Sequence, residues 1–176
     1  IMKKSDAAII APKDVFLGPA DAPVTVVEFA DYESEAAVAA HLAVKQLLLQ
    51  YEGKLRFSFR HFPLRRIHQE AQKAAEAAVA AAQEGKFWEM HEMLLQNRRA
   101  LGTISLRSYA KEVGVQNKRF LDELINGTYA WSVQDDLDEG LRMGVSQIPT
   151  FFINGEKLEG LITAESLRQK IEAALA

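Results

Sequence analysis

Few side chains in this 176-residue chain could do chemistry, and cysteine is not among them. Without cysteine there is no disulfide, no thiolate metal site and no sulfur nucleophile. Ser34 is the hydroxyl best placed to act, in the stretch "FADYESEAAVAAH" at residues 29–41. A serine nucleophile needs a base within hydrogen-bond reach. His41 comes seven residues later, about 10 Å along a helix axis at 1.5 Å per residue, too far for direct contact. Ser34 therefore reads as the N-cap of a helix, with Glu35 in the first turn where the helix dipole favours a negative charge. Glu28 sits in an apolar run before Ser34. A carboxyl buried there is costly unless paired, and its pKa is expected to rise. The four histidines, His41, His61, His68 and His91, show neither i,i+4 pairing nor an HExxH frame. They are expected to pack or to face solvent, and no metal is expected. "FWEMHEM" reads as core between helices and sheet.

The elements that must position these residues follow from hydrophobic period and turn signals. "APVTVVEFADY" is a β-branched apolar run, as in a strand covered on both faces. After Ser34, apolar side chains at Val38, Leu42, Val44, Leu47 and Leu48 form a helical stripe, stopped by Gly53. "KLRFSFRHF" alternates, with Leu55, Phe57 and Phe59 on one face, and Pro63 ends it. From about His68 to Gly144 each periodic segment is helical, including an Ala-rich stretch with Lys73 and Glu76 at i,i+3. "TFFING" is then a strand, "NG" a hairpin turn and "EKLEG" the partner strand. A last helix is capped by Thr163. The strand-helix-strand start implies a parallel crossover, and the helical block reads as an insertion in a small α/β sheet.

Composition limits the function classes. With 48% apolar and 26% charged residues, the chain fits an ordinary globular domain. A formal charge of −3 without a basic stripe argues against nucleic acid. "PLRRIH" reads as a solvated loop. No apolar run approaches the roughly 18 residues of a membrane span. The start, "IMKKSDAAIIAPKD", is too short and too polar for a complete signal peptide, and the first residue, Ile1, suggests a trimmed or mature chain. The compartment stays open.

The stretches "LGPADAPVTVVEFADYE", "FRHFPLRRIHQEAQKAAEAA", "GKFWEMHEMLLQN", "YAKEVGV" and "GVSQIPTFFINGEKLEG" resemble, in order and spacing, the DsbA-like thiol–disulfide oxidoreductases. The resemblance implies a thioredoxin-like α/β fold, with its core at about 15–64 and 145–176 and a helical insertion at about 65–144. It also implies an extracytoplasmic setting. Where that family carries Cys-Pro-aromatic-Cys, this chain has Ser34, Glu35, Ala36 and Ala37. All four positions differ, which favours a natural loss over a two-cysteine knock-out. The family's cis-proline maps to Pro149, after Ile148, and its buried proton acceptor to Glu28, here a remnant or a working group.

No catalytic residue and no cofactor is expected. The resemblance implies a groove bounded by Ser34, Ala36, Ile148, Pro149 and Thr150 that takes an extended peptide or an unfolded client by edge pairing, a chaperone-like role. Two alternatives stand beside it. One is a glutathione-dependent transferase or isomerase using Ser34, as in kappa-class enzymes of similar fold. The other is a structural or regulatory domain, since related modules also occur attached to membrane transporters.

Overall fold

A computed structural model describes residues 9–176. The reading of the first residues as unlike a signal peptide therefore falls largely outside the described residues. Four strands form one sheet, β1 Val24–Ala30, β2 Leu55–His61, β3 Thr150–Ile153 and β4 Glu156–Lys157, in the order β2-β1-β3-β4. β1 and β2 are parallel, joined through helix α1 Glu35–Gln50; β1–β3 and β3–β4 are antiparallel. The hairpin turns at Asn154 and Gly155, both with positive φ as an Asn-Gly turn requires. The last strand is shorter than "EKLEG" suggested, ending at Lys157. Helix α7, Ala164–Leu175, follows with a reciprocal capping box between Thr163 and Ser166.

Central strand β1 is covered on both faces. Val24, Val26 and Ala30 join Val44 and Leu47 of α1, Leu167 and Ile171 of α7 and Phe57 and Phe59 of β2 in the main core. Phe29 turns the other way, against Phe62, Val145 and Phe152. The inward stripe of α1 differs from the expected one: Ala37, Ala40, Val44 and Leu47 are buried, whereas Leu42 is 65% exposed. Alanines face the core in the first half of α1, so small size, and not hydropathy, marks its inner side.

Between β2 and β3 lie five helices: α2 Ala71–Ala82, α3 Phe87–Gln96, α4 Thr103–Glu112, α5 Phe120–Ile125 and α6 Ala130–Arg142. α2 is their hub and packs against the other four. Its alanines are buried nearly throughout, so it is a strong helix former that also lets neighbours approach closely. The expected pair forms, with Lys73 Nζ 3.3 Å from the buried Glu76 carboxylate. "FWEMHEM" is core in part: Phe87, Met90 and His91 are buried.

A buried ion pair joins this block to the sheet. Arg60 Nε donates to Asp136 of α6 at 2.7 Å, and its Nη2 donates to Glu139 at 2.8 Å. Asp136 also accepts the backbone N–H of His61 at 3.0 Å. Arg60 and Asp136 are both almost inaccessible, so losing one partner leaves the other charge desolvated. Asp136→Ala should lower the unfolding free energy by about 3–5 kcal/mol. Arg168→Ala, which breaks an exposed pair with Glu165, should cost at most about 1 kcal/mol. Urea unfolding of both variants measures the difference; equal, small losses would show that Asp136 does not hold the insertion to the sheet.

Candidate functional site

The turn between β1 and α1 is built on a carboxylate that sequence reasoning passed over. Asp31 is buried. Its Oδ1 accepts the N–H groups of Glu33 and Ser34, both at 3.1 Å. Its Oδ2 accepts the N–H of Leu64 at 3.0 Å and lies 2.7 Å from Nδ1 of His68. This Asx-type turn fixes the chain just before the helix and ties it to the loop after β2. "PLRRIH" is thus partly a structural clasp: Leu64 and His68 meet Asp31, while Arg65 and Arg66 stay exposed. The sequence signal was available, since Asp followed two and three residues later by Glu33 and Ser34 is an Asx-turn pattern.

Ser34 caps α1: its Oγ accepts the N–H of Ala37 at 3.1 Å. Ser34 is only 7% exposed, and Ala37 is buried behind it. His41 does not reach it, for His41 Nε2 lies 2.5 Å from Glu92 of α3. The hydroxyl therefore has no base among its partners in the described residues. Glu35 projects into solvent, with Arg98 at 3.6 Å; Arg98 also donates to the Glu33 carbonyl at 3.3 Å.

The Ile148–Pro149 peptide is cis. Pro149 and Ile148 face Ala36, Ala39 and Ala43 of α1 across an open groove of about 590 Å³, whose far wall is Leu161 and Ile162. No charged residue among the described residues lines it. Of the residues expected to bind peptide, Ala36, Ile148 and Pro149 line this groove. Ser34 and Thr150 are buried and do not line it; the Thr150 hydroxyl donates to the Gln147 carbonyl at 2.6 Å. Leu161 and Ile162 escaped sequence reasoning because the segment before α7 carries no periodic signal.

Behind the turn lies an aromatic layer containing the remaining titratable groups. Tyr32 stacks on Phe59 and places its hydroxyl 2.9 Å from Nδ1 of His91. His91 packs against Phe59, Phe87, Trp88 and His41. His61 contacts Tyr32, Phe59 and Phe87, and both its ring nitrogens lack a hydrogen-bond partner among the described residues. Burial, aided by Arg60, pushes His61 down to about 3, and burial likewise pushes His91 well below the ordinary imidazole value. These histidines pack as neutral rings. No group of His, Asp and Glu among the described residues could hold a metal ion.

Glu28 is buried in β1, opposite Phe59 and Phe151, and its Oε2 has no partner among the described residues. The expected hydrogen-bonded remnant is thus at best half-satisfied. Burial pushes its carboxyl up to about 8. A raised pKa contributes stability that is fully present below the unfolded value of 4.5 and is lost as pH rises through about 8. Glu28→Gln should therefore match the wild type near pH 4 and exceed it by roughly 5 kcal/mol at pH 9, since each tenfold change in the ionisation equilibrium is worth about 1.4 kcal/mol. Denaturant unfolding across that range checks the slope; a difference independent of pH would show that Glu28 does not titrate in the fold.

Comparison with known proteins agrees with this architecture. A family model described as Thioredoxin matches residues 11–173. The oxidised BdbD of Bacillus subtilis superposes with a TM-score of 0.83 at 25% identity, covering 94% of this chain and 92% of that one. The thiol-disulfide exchange protein alpha-DsbA2 of Wolbachia pipientis superposes at 0.77 and 23% identity, over 92% and 86% of the two chains. Among curated sequences, a protein of Salinispora tropica named Na(+)/H(+) antiporter NhaA 3 is 40% identical over 93% of this chain. The NhaA 1 antiporter of Mycobacterium sp. strain KMS is 32% identical over 92%. The chain spans about a quarter of the length of these antiporters, 25% and 27% respectively. No helix among the described residues is long and apolar enough to cross a membrane. With its βαβ start, cis-proline hairpin and inserted helices, the chain belongs to the thioredoxin family, with the fold of the DsbA-like oxidoreductases and none of their cysteines.

Proposed function

We propose that this chain is a thioredoxin-fold binding module without redox activity, serving a Na(+)/H(+) antiporter by holding one of its extended segments. The observation that carries this reading is the charge-free groove between α1 and Ile148–Pro149, set where the family's reactive turn would stand but with Ser34 and Ala37 at the cysteine positions. Thiol–disulfide exchange needs a thiolate and a resolving thiol, and this chain has neither. The groove can act without them. Its walls are mostly alanine, isoleucine, leucine and proline, with Gln46, Gln147 and Thr163 as the polar lining, so it suits apolar side chains on a hydrogen-bonding backbone. Among the described residues, neither the N–H nor the C=O of Ile148 takes part in a hydrogen bond, so both are available for edge pairing with an extended strand.

The choice of partner rests on the relatives: antiporters that carry a region similar to this chain over nearly its whole length. Ion antiport itself belongs to a membrane-spanning part, so a regulatory or anchoring role falls to the module. The glutathione-dependent alternative draws little support from Ser34, whose hydroxyl is engaged as an N-cap.

The test uses synthetic peptides covering the non-membrane segments of a Na(+)/H(+) antiporter of the source genome, whether joined to this chain or encoded apart from it. At least one extended apolar peptide should bind with a Kd in the micromolar range, about −8 kcal/mol. Ala36→Trp, which fills the groove from an exposed helix position, should weaken it at least tenfold. Binding unaffected by Ala36→Trp would place the partner site elsewhere. In parallel, insulin reduction should stay at the buffer rate, and acceleration by the purified chain would remove the claim of redox inactivity.

A further inference from the structure

A second groove lies in the helical insertion and shares no lining residue with the first. We propose that it is a docking surface for an anionic lipid bilayer. The groove, about 740 Å³, runs between the C-terminal half of α4 and the start of α5. Ala110, Val115 and Phe120 contribute apolar lining, and Arg107, Lys111 and Lys118 are its cations. None of these three cations has an ion pair or hydrogen bond among the described residues. Some other cations of the chain are paired, as in Arg60–Asp136, Lys45–Glu92 and Lys73–Glu76, while Lys54, Arg66 and Arg99 are unpaired among the described residues but line neither groove.

The lining itself carries three cations against one acid, and the flanking acids Glu84 and Glu123 are held toward backbone, amide and hydroxyl donors. The Glu84 carboxylate accepts the backbone N–H groups of Gln116 and Asn117. Glu123 accepts from Asn117 and from the Tyr129 hydroxyl. Only Asp122 among the lining residues is acidic. The chain as a whole carries −3, whereas the lining of this groove is net positive, with Arg107, Lys111 and Lys118 against Asp122.

The same two helices expose large apolar side chains. Ile104 of α4 is 70% exposed and Ile125 of α5 is 61% exposed. On α4, Ile104, Arg107 and Lys111 are spaced i, i+3 and i+7, and so share one helix face. Cations interleaved with exposed aliphatic residues are the pattern of an interfacial surface: the cations meet headgroup phosphates and the aliphatic side chains enter the acyl boundary. A soluble acidic partner would use the cations but give Ile104 and Ile125 no such medium. The choice of a bilayer also rests on the reading that the chain serves a membrane antiporter.

Vesicle flotation of the chain alone tests the proposal, with no antiporter present. Vesicles of phosphatidylcholine containing about 30 mol% phosphatidylglycerol should carry the chain upward at low ionic strength, and added salt should release it. Pure phosphatidylcholine should bind at least tenfold more weakly. The triple variant Arg107→Glu, Lys111→Glu, Lys118→Glu should lose at least tenfold on the anionic vesicles, consistent with about fivefold per cation. Lys111→Gln with Lys118→Gln provides a milder second variant should the triple variant lose its native circular dichroism. Ala36→Trp should float as wild type, which separates this surface from the peptide groove. No flotation, equal flotation on neutral vesicles, or flotation unchanged by the charge variants would overturn the proposal. Failure to float combined with charge-dependent capture on immobilised polyglutamate would assign the groove to an acidic protein segment instead.

Discussion

The site depends on one buried carboxylate. Asp31 gathers N–H groups from its own turn and from the loop after β2, together with the His68 ring. A buried carboxylate is tolerable only when its oxygens are satisfied, so the turn and the loop are fixed as a unit. From that unit follow the extended backbone of Ser34, its cap on Ala37 and the direction in which α1 leaves the sheet. That direction sets Ala36 and Ala39 opposite Pro149 and so creates the groove. Arg60 and Asp136 do the corresponding work for the insertion, which carries the cationic surface between α4 and α5.

The protein retains the frame of thiol chemistry with its reagents removed. The helix N-terminus that would lower a thiol pKa here meets a serine hydroxyl used as a cap. The carboxyl in the strand leading to it, Glu28, stays buried with an oxygen unpartnered among the described residues and a raised pKa. This arrangement destabilises the fold at alkaline pH without serving a sulfur. The intact part is the geometry beside the turn, namely the cis bond at Pro149, the free backbone of Ile148 and the apolar walls. Recognition by backbone edge and apolar pocket needs no thiol, which is why binding is the function this structure supports best.

Much of this was legible in the sequence where the cause is local. The N-caps at Ser34 and Thr163, the Asn154–Gly155 turn and the order of strands and helices depend on residues a few positions apart. The clasp was not legible, because Asp31 meets Leu64 across 33 positions and Arg60 meets Asp136 across 76. No local pattern encodes such partners. Leu42 misled for a different reason: hydropathy assigns leucine inward, but the buried positions in this half of α1 are Ala37 and Ala40, and Leu42 faces solvent. The groove's second wall, Leu161 and Ile162, lies in an aperiodic segment. Its role appears only once α7 folds back beside α1.

The most direct measurement is site-specific photo-crosslinking from the groove in cells that make this chain together with an antiporter, in one polypeptide or in two. A photoreactive phenylalanine at Leu161, which is 80% exposed on the groove wall, should give one dominant adduct, mapped by mass spectrometry to an extended non-membrane segment of the antiporter. The same probe at Leu49, equally open to solvent on α1 but outside the groove lining, should give none. Adducts from both positions, or from neither while the antiporter is present, would contradict the account.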